Sequence, residues 1–164
     1  MNVSHEPETC SKVPAVLREG LSWPLARIAH AFAVAHNEAL APLALNLRTF
    51  AVLATVSGGV ARTQLEIAQS VGLDKTTLVA TIDDLERRAL VVREPDPDDR
   101  RARIVGITDT GEAVLDRASE LVRATEARIL AAMPADRATN IKDSLVALLS
   151  GPLYEYFDRA GSCL

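Results

Sequence analysis

The sequence predicts a mainly α-helical chain with one small β-hairpin, an α+β fold. Apolar residues recur at helical spacing through most of the 164 residues. Ala and Leu are abundant while aromatics make up only 4%, which favours helices over a sheet sandwich. One stretch breaks the helical pattern. There Leu90-Val91-Val92 and Ile104-Val105 read as short strands, and Pro95-Asp96-Pro97-Asp98-Asp99 between them reads as a turn.

The elements follow in order. Residues 1–12 are polar and read as a disordered tail. From Val13 to about Ala39, Leu17, Leu21, Leu25, Ile28, Ala29 and Phe32 mark a helix. Pro24 within it calls for a kink or for a helix that starts nearby. A second helix runs from about Leu47 to Val56, with Phe50, Leu53 and Ala54 inward, and Ser57-Gly58-Gly59 ends it. Thr63 and Glu66 have capping-box spacing and open a third helix, with Leu65 and Ala68 inward. Gly72 occupies the next turn, and Asp74 is a good N-cap for a helix whose buried stripe is Leu78, Ile82 and Leu85. After the hairpin, Thr108 to Gly111 begins a helix carrying Val114, Leu115, Ala118, Leu121, Val122 and Ile129. Pro134 breaks it. A last helix runs from about Ala135 to Leu149, before Gly151-Pro152.

Composition excludes several classes. Hydrophobic residues at 48% and charged residues at 24% are ordinary for a soluble globular chain. No apolar run approaches the ~20 residues that span a bilayer. The start MNVSHEPETCSK has no basic segment followed by an apolar one, so a cytoplasmic protein is expected. No Gly-rich phosphate loop, activated nucleophile or metal cluster appears, so neither an enzyme nor a cofactor is expected. His30 and His36 are six apart and do not share a helix face, and His5 lies in the tail, so no metal site is expected.

The order helix, turn, helix, Arg-rich hairpin is that of a winged helix-turn-helix. A helix fits the major groove of B-DNA and presents its N-terminal side chains to base edges. In the helix after Asp74, Lys75 favours phosphate, Thr76 and Thr77 can bond phosphates or bases, and Val79 and Ala80 can touch thymine methyl groups. Arg93 lies on the first strand, and Arg100, Arg101 and Arg103 cluster after the hairpin tip, suited to a narrow minor groove. Asp99 reads as an orienting partner for Arg101. The net charge of −4 argues weakly against nucleic acid. From Arg62 to Arg103, eight basic and nine acidic residues leave −1, so any DNA-binding cations, Arg62 among them, must be segregated onto one face.

Residues 62–111 resemble the DNA-binding core of the MarR family (multiple antibiotic resistance regulators). The matching features are TxxEIA at Thr63–Ala68, GLDKTTL at Gly72–Leu78, the run IDDLERRALVVR, and the wing DPDDRRARIVGITDTG with its Asp99-Arg100-Arg101-Ala102 pattern. The flanking helices extend the likeness to most of residues 13–150. It implies a homodimer with interlocking terminal helices: an N-terminal dimerisation region at 13–44, a winged lobe at 45–111 and C-terminal dimerisation helices at 112–164. It further implies a regulator, usually a repressor of nearby promoters, that binds a palindromic operator in double-stranded DNA. A small phenolic or amphipathic effector between the dimer helices and the lobe would release it. Two positions depart from the pattern. Ala89 stands where many relatives have Gly, and Val79-Ala80 replaces a pair that is often polar or basic, which shifts weight to the wing.

Other readings remain open at this level. Trp23 fits core or dimer packing, or with His30 the wall of a ligand pocket. Cys10 and Cys163 could serve a redox-responsive regulator, though Cys10 lies in a polar tail. The near-neutral module could also be a protein-interaction domain with a vestigial helix-turn-helix, which steeply salt-dependent DNA binding would exclude.

Overall fold

A computed structural model of the protein describes residues 13–59, 61–96, 103–151 and 153. The expectations for the 1–12 tail, Asp99, Arg100, Arg101, Cys10 and Cys163 lie outside these described residues. The chain divides into two units, 1–35 and 36–164, each taken by itself.

In the first unit the predicted helix is divided. Helix α1 spans Ala15–Glu19, Gly20 is extended, and α2 starts at Ser22 and continues to Leu40. Pro24 therefore sits in the first turn of α2, where a missing N–H costs no intrahelical bond. Leu17, Leu21, Leu25 and Ile28 are all exposed.

The second unit is built around a core of Leu40, Val52, Leu53, Val56, Ile67, Leu78, Ile82, Leu85 and Val105. After α2, a 3₁₀ turn at Ala41–Leu43 ends in left-handed Ala44. Helix α3, Leu47–Thr55, is capped by Asn46, whose side chain accepts from Thr49 N. Asn37 Oδ1 accepts from Leu47 N at 2.7 Å and ties the end of α2 to α3. The buried stripe of α3 runs through Thr49, Val52 and Leu53. Ala54, expected inward, is exposed, because that stripe already fills the core-facing side.

Strand β1, Arg62–Thr63, leads into α4, Gln64–Val71, and after Gly72 into α5, Lys75–Arg87. Gly72 has φ +66°, the left-handed backbone its turn requires. Leu65, expected inward, is 68% exposed, and Ile67 is fully buried in its place. Only one face of this eight-residue helix meets the core, and Ile67, Ala68 and Val71 share it. On α5 the expected stripe of Leu78, Ile82 and Leu85 is buried, joined by Thr81.

Strands β2, Val91–Pro95, and β3, Arg103–Ile107, are antiparallel, and β1 pairs with the other edge of β3. Both hairpin strands are longer than the sequence suggested. Pro95, read as turn, closes β2 opposite Arg103, a place open to proline because β2 is an edge strand. Helix α6, Asp109–Leu130, is capped by Thr108 and buries Gly111, Leu115, Ala118 and Thr125. Helix α7, Ala135–Ser150, buries no residue, while Leu145, Val146, Leu148 and Leu149 are exposed on it. No helix among the described residues is long and apolar enough to cross a membrane.

Candidate nucleic-acid interface

Local capping sets where the helix-turn-helix begins and how α5 is presented. At α4, Glu66 N donates to Thr63 Oγ1 at 3.3 Å, and Thr63 N donates to Glu66 Oε2 at 2.7 Å. The Thr63 hydroxyl also donates to that carboxylate, and these bonds hold the Glu66 carboxyl below its ordinary range. At α5, Thr77 N donates to Asp74 Oδ1 at 2.9 Å. The Thr77 side chain and then its backbone N–H lower the Asp74 carboxyl in the same way.

With Leu78 and Ile82 inward, the first turns of α5 present Lys75, Thr76 and Ala80 to solvent. Thr77 and Val79 are half-buried at the margins of that face. Five of the sequence-predicted residues thus fall in the first two turns of one helix, exposed or half-buried. The other predicted positions are less uniform. Arg103 is exposed at the start of β3. Arg62 is half-buried, and its Nε donates to the Thr55 carbonyl at 2.9 Å, so it closes the C-terminus of α3. Trp23, half-buried, and His30, exposed, lie about two turns apart on α2 in the first unit.

Three interactions that the sequence did not announce hold this face in place. Arg93 on β2 reaches across to α5. Its Nη2 donates to Asp83 Oδ1 at 2.5 Å, and its Nη1 bonds the Glu86 carboxylate, which also accepts from Arg93 N. Arg93 is thus a strut between wing and helix, only 19% exposed and with its charge met by two carboxylates. Arg88, at the end of α5, donates to the carbonyls of Ala44 at 2.8 Å and Leu43 at 3.0 Å, pinning α5 to the turn after α2. Lastly, the corner between α5 and β2 is a Schellman motif. Leu90 N donates to Leu85 O at 3.0 Å, Ala89 N to Glu86 O at 2.9 Å, and Ala89 takes φ +54°. The departure at Ala89 noted in the sequence therefore falls on a left-handed position that glycine fits better.

The wing root is locked to α6 at the same corner. Thr108 N donates to Leu90 O at 3.1 Å, and the Thr108 hydroxyl bonds the carbonyls of Ala89 and Leu90. The turn after α3 is held too, since Gly58 N donates to Glu112 Oε1 at 2.9 Å. Two concavities border α5. An apolar one of about 290 Å³ lies between α4 and α5, lined by Leu65, Ala68, Lys75 and Leu78. A polar one of about 400 Å³ lies between α3 and α5.

Comparison with known proteins agrees with this geometry. A sequence profile of the MarR family matches residues 45–102. A MarR-family transcriptional regulator from Rhodococcus sp. RHA1 is similar at TM-score 0.76 and 29% identity, over 82% of this chain and 96% of its own. CouR from Rhodococcus jostii RHA1, solved with p-coumaroyl-CoA, is similar at TM-score 0.72 and 29% identity, over 85% of this chain and 98% of its own. The transcriptional repressor CouR bound to a 23-mer DNA duplex is similar at TM-score 0.73 and 34% identity, over 83% of this chain and 94% of its own. By the order of its elements, the face of α5 and these likenesses, the chain belongs to the MarR family of winged-helix transcriptional regulators.

Proposed function

We propose that the protein is a homodimeric, sequence-specific DNA-binding regulator that represses transcription until a small amphipathic or phenolic ligand releases it. The observation that carries the DNA-binding part is the exposed N-terminal face of α5, with Lys75, Thr76 and Ala80 outward and the wing strutted to the same helix by Arg93. Lys75, Thr76, Thr77, Val79 and Ala80 would read the major groove, and Arg101, oriented by Asp99, the minor groove, with Arg100 and Arg103 beside it. CouR, a relative, is a repressor solved with a DNA duplex, which supports the same class of partner here.

The dimer is supported by α7, which buries nothing while exposing Leu145, Val146, Leu148 and Leu149. A helix with that apolar face needs a partner surface. The ligand is supported by CouR bound to p-coumaroyl-CoA. A ligand that binds better to a dimer whose half-site spacing no longer fits DNA would shift the population off the operator.

The test is fluorescence anisotropy with the promoter duplex beside the protein's own gene, across a salt series, for the wild type and Arg101→Ala. Tight, salt-sensitive binding that weakens in the variant supports the reading. Failure of the wild type to bind that duplex or a genomic library overturns it and favours a protein-interaction module. Binding unchanged by Arg101→Ala removes the wing from the interface.

A further inference from the structure

The reading helix is poor in cations. Lys75 is the one basic residue on α5 before Arg87, and the stretch from Arg62 to Arg103 nets −1. The fold supplies another cation from outside that stretch. Arg48, in the first turn of α3, lines the open polar groove of about 400 Å³ together with Asn46, Thr76, Thr77 and Ala80. Three of those residues lie on the part of α5 assigned above to DNA reading. Asp84 lies at the groove as well, but its carboxylate is matched by Arg87 at 2.7 Å and Arg88 at 3.3 Å.

We propose that this groove is a phosphate-binding site. Arg48 would hold a backbone phosphate of the same DNA duplex that α5 reads, with the exposed Thr76 hydroxyl as a second donor. The inference rests on the DNA-binding reading above. Three physical points carry it. A guanidinium presents a planar fork of N–H donors that matches phosphate oxygens. Arg48 stands on a helix that flanks α5, where the duplex backbone passes once a reading helix occupies the groove. Phosphate bonds of this kind set register and orientation on the duplex without reading sequence.

The experiment compares wild type, Arg48→Ala and Arg48→Lys by anisotropy across a salt series, on a promoter duplex and an unrelated duplex. Thermal melts check that each variant folds. Removing the Arg48–phosphate ion pair should lower the slope of log K against log salt by about 0.9, which is about 8-fold in affinity at about 0.1 M salt. The weakening should be similar on both duplexes, and Arg48→Lys should keep the wild-type slope. Wild-type binding with an unchanged slope in Arg48→Ala overturns this inference and leaves the DNA-binding reading standing. So does a weakening that Lys does not rescue, which would make Arg48 structural. No binding by the wild type overturns both.

Discussion

Gly111 is the position where adding one methyl group should do most damage. It is the third residue of α6, buried where that helix meets the wing root. A Cβ built there would stand 2.1 Å from the Leu90 carbonyl oxygen and 2.6 Å from Ile107 Cγ1. Ordinary van der Waals separation begins near 3.4 Å, so the carbonyl or the helix must retreat by more than 1 Å. The obstacle is backbone and cannot swing aside. That same oxygen accepts from Thr108 N and from the Thr108 hydroxyl. Breaking both bonds costs about 1–3 kcal/mol, and overpacking strain adds about 1–3 kcal/mol. Against this, Ala gains at most about 1 kcal/mol over Gly in helix propensity. Gly111→Ala should therefore destabilise by about 1–5 kcal/mol, a fall in Tm of roughly 2–20 °C for a chain of this size. Thermal unfolding followed by circular dichroism measures it. Gly20→Ala is the control, since a Cβ there meets only Val16 O at 3.8 Å and the backbone is extended. An unchanged or raised Tm for Gly111→Ala would mean that the corner between α6 and the wing root absorbs the methyl group without strain.

Two further outcomes are expected. Ala89→Gly should stabilise by roughly 0.5–1 kcal/mol, because relief of the left-handed strain of about 1–2 kcal/mol exceeds the ~0.4–1 kcal/mol that Gly adds to unfolded-chain entropy. Denaturant titration that shows a lower midpoint for the variant would contradict this. On acidification, Glu66 and Asp74, whose carboxyls are lowered in the fold, stabilise fully above their ordinary values of 4.5 and 3.8. Their contribution is lost as pH falls through the lower folded values. A Glu66→Gln, Asp74→Asn double variant should accordingly lose less Tm than wild type between about pH 5 and 3. Equal acid sensitivity in the two proteins would remove the caps from the explanation.

What was legible in the sequence was local. The caps at Thr63, Glu66 and Asp74 and the left-handed turn at Gly72 depend on residues within four positions, so spacing alone reveals them. The stripe of α5 was equally readable because its polar face is unambiguous. Short apolar helices were not. In α3 and α4 more apolar positions exist than one face can bury, and only packing decides that Ala54 and Leu65 are left out. A strand as short as β1, Arg62–Thr63, carries no period of its own and exists because β3 pairs with it. The struts were invisible for a different reason. Arg88 finds its carbonyls 44 and 45 residues away, and Arg93 joins elements that no spacing rule connects. In the sequence they were only two of the eight basic residues counted between Arg62 and Arg103, and the fold supplies the carboxylates and carbonyls that meet them. Ala89 ran the other way: the sequence flagged it, and the backbone explains why.

The bond of Arg93 to Asp83 and Glu86 also limits how this protein can be re-targeted. Grafting a foreign reading helix onto the scaffold would import new base-reading side chains but would discard the two acids that hold the wing. A chimera would then carry a half-buried guanidinium without counterions, and the wing would lose its tie to the helix. Specificity here is a property of helix and wing together. A successful transplant must keep acidic residues at positions 83 and 86, or exchange the second strand in the same step.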